Sequence, residues 1–179
     1  MKSKQIQVVK KTEDSNPMRL FQIEKVVLSC GDTDKELEKA RKLLELISGM
    51  KAQVIATQKR IPDFGVRPDL EVGVRVTLRG EKSIQLLRRL LAAIDNKLSK
   101  KQIVTNAFSF GIKEYIEIPD LEYQRDIGIK GLNVTVVFAR PGLRIKRKKI
   151  KASHVPAKQF VTKNEIIKYM EENFKTDFE

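Results

Sequence analysis

The apolar positions of this chain change period along its length, and the changes mark out its elements. Between residues 72 and 79, Val72, Val74, Val76 and Leu78 alternate with Gly73, Arg75, Thr77 and Arg79. Strand side chains alternate between two faces, so this stretch predicts a strand that is greasy inside and carries two guanidinium groups around a hydroxyl outside. A shorter strand, VIATQ, starts at Val54. The run LNVTVVFARPG repeats the alternation, with Leu132, Val134, Val136 and Phe138 inward, Asn133 and Thr135 outward, and Pro141-Gly142 as its end. FQIEKVVLSCG reads as a further strand closed by Gly31.

Elsewhere the apolar spacing is three and four, as on one face of a helix. Leu37, Ala40, Leu44 and Ile47 form such a stripe, with Asp32 or Thr33 as a cap before it and Gly49 as its stop. From Glu81 to Leu98 the residues Ile84, Leu87, Leu90, Leu91, Ile94 and Leu98 predict the longest helix. Thr162 and Glu165 form a capping box before a last helix with Ile166, Met170 and Phe174 on one side. QIVTNAFSFGI predicts one short strand with Phe108 and Phe110 on a single face. Aromatics at that spacing serve either a core or a base-stacking platform, and core is the expectation here. Lys113 to Gly131 is irregular, and its acids at 114, 117, 120, 122 and 126 read as solvated loop charges without metal-loop spacing.

The resulting order is strand, helix, strand, strand, helix, strand, strand, helix, with connections mostly too short for parallel crossovers. It predicts an α+β fold, an open antiparallel or mixed sheet with helices packed on one face and the other face free. Alternation places Arg75, Thr77, Arg79, Asn133 and Thr135 opposite the aliphatic positions. It does not establish that they share one surface.

At 179 residues, 41% hydrophobic and 33% charged, the chain suffices for one domain with a sizeable core. The expected divisions are a flexible N-terminal tail (1–15), an α+β domain (16–142), a basic extension (143–161) and a C-terminal helix and tail (162–179). Net charge is +13, and residues 140–164 supply most of it, with nine basic and no acidic side chains. Such a block stays solvated until a polyanion neutralises it, so nucleic acid is the natural partner. A membrane is not, because Leu143, Ile145, Ile150 and Val155 lack a helical period and Pro156 follows. No apolar run approaches a membrane span, no signal-peptide core opens the chain, and a cytoplasmic protein is expected. One cysteine, Cys30, forbids an internal disulfide and reads as a small buried hydrophobe. One histidine, His154, leaves no metal cluster, no catalytic pair and no expected cofactor.

Between the two central strands lies KRIPDFGVRPDLE. Pro62 and Pro68 disfavour helix before them and Gly65 supplies a turn, so a long projecting loop is expected, with Lys59, Arg60 and Arg67 around Phe64. Phe64 either projects with them or tucks back into the core.

Six ordered segments, NPMR (16–19), IEKVVLS (23–29), IPDFGVR (61–67), VTLRGEK (76–82), FSFGI (108–112) and GLNVTVVFARPG (131–142), carry a resemblance. Together they are similar to the universal fifth protein family of the large ribosomal subunit, in its archaeal and eukaryotic branch, over roughly residues 16–175. The resemblance implies an open sheet whose concave face docks on 5S ribosomal RNA in the central protuberance. It implies, too, a loop, Ile61 to Arg67, that reaches toward the peptidyl-site transfer RNA, and a surface that faces the small-subunit head, where a head protein would be a further partner. At matching positions Thr77 and Arg79, with Arg75 beside them, are expected at the 5S RNA surface. Ser29 stands where the family usually has asparagine, and Met50 where it has glutamine; serine still donates and accepts, whereas methionine does not replace an amide. Arg144, Lys146, Arg147, Lys148, Lys149 and Lys151 fit the branch's basic extension and are expected on large-subunit ribosomal RNA. The competing classes are a stand-alone regulatory RNA-binding protein and an RNA-processing enzyme.

Overall fold

In the computed structural model, residues 16–178 are described; the expected tail at 1–15 lies outside them. In chain order come β1 (Gln22–Gly31), α1 (Asp34–Ser48), β2 (Gln53–Ala56), β3 (Glu71–Leu78), α2 (Glu81–Ala92), β4 (Lys97–Leu98), β5 (Ile103–Val104), β6 (Ala107–Ile112), β7 (Leu132–Ala139), α3 (Arg144–Arg147), α4 (Lys163–Phe174) and β8 (Asp177–Phe178). Six strands form one sheet in the order β2-β3-β1-β7-β6-β5, antiparallel at every pairing. The α+β expectation therefore holds, with the large sheet antiparallel rather than mixed.

The apolar stripes explain how the layers meet. Leu37, Ala40, Leu44 and Ile47 of α1 are all buried, as are Leu87, Leu90 and Leu91 of α2. Leu37, Leu44, Ile47 and the three α2 leucines join Val26, Leu28, Val74, Val76, Val134 and Val136 in one core. Truncating a residue such as Leu44 to alanine should cost about 2–5 kcal/mol. Gly49 ends α1 at φ 62°, its N–H donating to the Glu45 carbonyl at 2.9 Å. That left-handed turn favours glycine because it carries no Cβ.

Three expectations need correcting. The helix predicted to reach Leu98 stops at Ala92, because Asp95 and Asn96 take left-handed φ of 53° and 57° and the Asn96 N–H turns back to the Leu91 carbonyl at 3.0 Å. Leu98 is buried as the helical spacing requires, but from β4, which pairs in parallel with β8. QIVTNAFSFGI, expected as one strand, is the β5–β6 hairpin, reversed at Asn106 with φ 64°. There the Asn106 side chain accepts from the Val161 N–H at 2.6 Å, which ties the turn to the segment before α4. Phe108 and Phe110 are buried with ring centroids 6.0 Å apart, so their place is the core.

Lys130 had no sequence signal. Its ammonium, on a side chain only 9% exposed, reaches Asp32 at 2.7 Å and Glu36 at 3.0 Å, fastening the 113–131 loop to the start of α1. Burial pushes its pKa down, but the two carboxylates outweigh burial and hold it above the ordinary lysine value. Cys30 is half-buried and its thiol donates to Asp32 at 3.2 Å; burial, then that carboxylate, pushes it up to about 12, consistent with an inert thiol.

Candidate nucleic-acid interface

Strand register decides which polar residues stand together. Gln53 lies opposite Arg75, Arg75 opposite Ser29, Ser29 opposite Asn133, and Asn133 opposite Gly111. One row thus crosses five strands, about 19 Å at the usual strand spacing of ~4.8 Å. A second row, two residues along, runs Thr77, Val27, Thr135, Ser109. Arg75, Thr77, Asn133 and Thr135 therefore share one surface, which alternation alone had left undecided. Exposed Arg79 follows β3 directly and continues its outward parity.

The two halves of this face differ in chemistry. On β3, Arg75 is exposed and its Nε donates to Gln53 at 3.2 Å, which fixes the direction of the guanidinium. On β1, β7 and β6, a concavity of about 380 Å³ is lined by Ser29, Ser109, Gly111, Asn133 and Thr135, with Gln102 at its rim. Met50 is elsewhere, exposed at the corner between α1 and β2, so the two departures from the family's usual residues do not adjoin.

The 57–70 connection closes on itself. Thr57 and Leu70 pair at 2.9 Å, Asp69 and Thr57 at 2.8 Å, and Ile61 and Val66 exchange two bonds of 3.0 Å. Pro62–Phe64 makes a single tight turn that Gly65 leaves at φ 64°. Val66 is buried and anchors the tip, while Phe64 is 80% exposed; the aromatic projects. Lys59, Arg60 and Arg67 are exposed around it.

The basic segment is fastened at its neck. Gln159 donates to the Pro141 carbonyl at 2.8 Å, and Arg140, its side chain 9% exposed, reaches the Lys158 carbonyl at 3.3 Å and Glu165 at 2.6 Å. Glu165 also accepts from the Thr162 N–H at 2.9 Å and hydroxyl at 3.1 Å, as the capping-box spacing predicts. Burial alone would raise the Glu165 pKa, but Thr162 and Arg140 together hold it below the ordinary value. Within the loop so formed, Arg144, Lys146, Lys148, Lys149 and Lys151 are exposed, Val155 is buried, and Arg147 pairs with Glu24 of β1. Among the described residues no cluster of three or more His, Cys, Asp or Glu is placed to hold a metal ion, and no helix is long and apolar enough to cross a membrane.

An open antiparallel sheet backed by helices, with cations and neutral hydrogen-bonding groups on its bare face and a basic loop alongside, defines a class: α+β proteins shaped to lie against a polyanion. Two family models match, one described as ribosomal protein L5 over residues 16–67 and one as the C-terminus of that same ribosomal family over residues 71–169. A large ribosomal subunit protein uL5 from Nanoarchaeum equitans is 40% identical over 160 residues, 88% of this chain and 95% of that protein. Proteins of the same name from Methanobrevibacter smithii and Sulfurisphaera tokodaii are 37% and 35% identical, each over 91% of this chain and over 98% and 94% of their own lengths. The chain belongs to the ribosomal protein L5 family, in its archaeal form.

Proposed function

We propose that this chain is a structural, non-catalytic component of the large ribosomal subunit that holds 5S ribosomal RNA in the central protuberance. The observation that carries this reading is the pair of polar rows on the bare sheet face. Ser29, Arg75, Thr77 and Arg79 meet the 5S RNA. The loop bearing Lys59, Arg60, Phe64 and Arg67 meets the peptidyl-site transfer RNA, with Phe64 presented to a base and the cations to phosphates. Arg144, Lys146, Lys148, Lys149 and Lys151 follow large-subunit RNA, and Arg147 does so while its partner Glu24 anchors the loop. The place of work is the cytoplasmic ribosome, with a small-subunit head protein as a further neighbour.

Binding then combines charge neutralisation with shape. Each phosphate contact releases counterions, giving a salt slope of roughly −0.7 to −0.9 per contact. The test titrates the full chain with 5S RNA and an unrelated RNA of equal length across several salt concentrations. Retention of the 5S RNA at moderate salt while the other is lost supports the reading. Replacing Arg75 and Arg79 together by alanine should then flatten the slope by about 1.4–1.8. Equal, steeply salt-dependent binding of both RNAs would overturn it.

A further inference from the structure

The concavity on β1, β7 and β6 carries chemistry that the cationic half of the sheet does not. Its polar lining is Ser29, Ser109, Thr135, Asn133 and Gln102, hydroxyls and amides without a charge among them. A phosphate seat would draw arginine or lysine into the lining. A base-stacking platform would expose an aromatic ring. The one aromatic that lines the concavity, Phe110, is 4% exposed and stacks on Phe108 within the core.

Neither phosphate nor unstacked base therefore matches the lining, and one RNA group does. The ribose 2′-hydroxyl both donates and accepts, as do the serine and threonine hydroxyls and the amides. In an A-form helix these hydroxyls line a wide, shallow minor groove that proteins reach across. The lining is a mesh of matching form, about 4.8 Å between strands and about 6.8 Å between rows along a strand. Among the described residues, the side chains of Ser29, Ser109, Asn133 and Thr135 take no hydrogen bond within the chain. The Gln102 oxygen accepts from the Ser99 N–H at 3.3 Å, leaving its NH2 as a donor. Gly111 keeps the floor low, since a Cβ there would stand 3.3 Å from the Asn133 Oδ1.

We propose that this concavity seats the minor groove of an RNA helix and reads its ribose 2′-hydroxyls, so that β3 supplies attraction and β1, β7 and β6 distinguish RNA from DNA. The proposal rests on the 5S RNA reading and specifies which chemical group of that RNA the second half of the face recognises.

The experiment compares unmodified 5S RNA with versions carrying 2′-deoxyribose in one helical stem at a time. With the full wild-type chain, one stem should be sensitive, losing about three- to tenfold in affinity for each hydroxyl that a side chain contacts. The double variant Ser109→Ala, Thr135→Val changes two solvent-facing residues without altering charge. It should bind unmodified RNA and the sensitive deoxy version alike, with the wild-type salt slope. Arg75→Ala should do the reverse, flattening the slope and keeping the ribose-to-deoxyribose ratio. Gly111→Ala, which crowds Asn133, should lower the ratio by a smaller factor. Insensitivity of the wild type to every deoxy stem, or a double variant with the wild-type ratio, would overturn the proposal while leaving the 5S RNA reading intact. Failure of that reading would appear separately, as loss of 5S preference in the salt titration.

Discussion

The two excursions from the sheet, residues 57–70 and 141–159, are similar in exposure and basic character but are held shut by different forces. The first is closed by its own backbone, through the Thr57–Leu70, Thr57–Asp69 and Ile61–Val66 hydrogen bonds, so Lys59, Arg60, Phe64 and Arg67 are spared from structural duty. The second gathers too much like charge to close unaided. Its anchors come from other elements: Glu165 of α4 and Glu24 of β1 supply the carboxylates, and buried Arg140 joins the neck. A hairpin tip can be specified locally, whereas a cation-rich loop needs counter-charge from distant parts of the chain.

The comparison is broken most severely by removing the charge itself. Replacing Arg144, Lys146, Lys148, Lys149 and Lys151 together by glutamine should flatten the salt slope for large RNA by about 3.5–4.5 and weaken binding roughly a thousandfold at ~0.1 M salt. Filter binding across a salt series measures both. The fold should survive, since all five side chains are exposed. Next in size is Arg140→Ala, which leaves Glu165 and the Lys158 carbonyl without their partner. A loss of about 1–3 kcal/mol is expected on chemical denaturation, with faster hydrogen exchange at 141–159 and unchanged exchange at 57–70.

Acid should act on the same neck. Because Glu165 is held below its ordinary value of 4.5, its stabilising contribution is complete above that pH and is lost as pH falls through the lower folded value. The melting-temperature difference between wild type and Glu165→Gln should therefore be present at neutral pH and vanish in strong acid. The smallest effect belongs to the self-closed loop. Gly65→Ala forces a Cβ into φ 64° and should cost about 1 kcal/mol of strain, read as local exchange near Phe64, with 5S RNA affinity unchanged.

Where a single element decides its own fate, its residues were readable. The α1 stripe, the alternation of β3 and β7 and the Thr162–Glu165 box each rest on neighbours three or four positions away at most, and each appears as expected. Errors arose where tertiary partners decide. Ile94 and Leu98 continue the helical spacing of α2 because they face the same core, so the pattern alone conceals the turn at Asp95-Asn96 and the pairing of β4 with β8. The candidate site was legible as residues and illegible as a surface. Alternation gave the outward side of each strand, but only register brings Ser29 between Arg75 and Asn133 and sets Thr135 beside Ser109. Gly111 and Gln102 carry no pattern of their own, and Lys130 is one lysine among many until Asp32 and Glu36 enclose it.

The position of β1 has a consequence in time. It is the first strand of the described chain yet sits in the middle of the sheet, and Ser29 waits for Asn133, about a hundred residues later, to become its neighbour. At synthesis rates of about 5–20 residues per second, that interval is roughly 5–20 seconds. Until β7 arrives, β1 has an unsatisfied edge and the polar rows do not exist. A nascent chain can offer its Phe64 loop and β3 arginines early, but the ribose-facing half of the surface matures only when nearly the whole protein has been made.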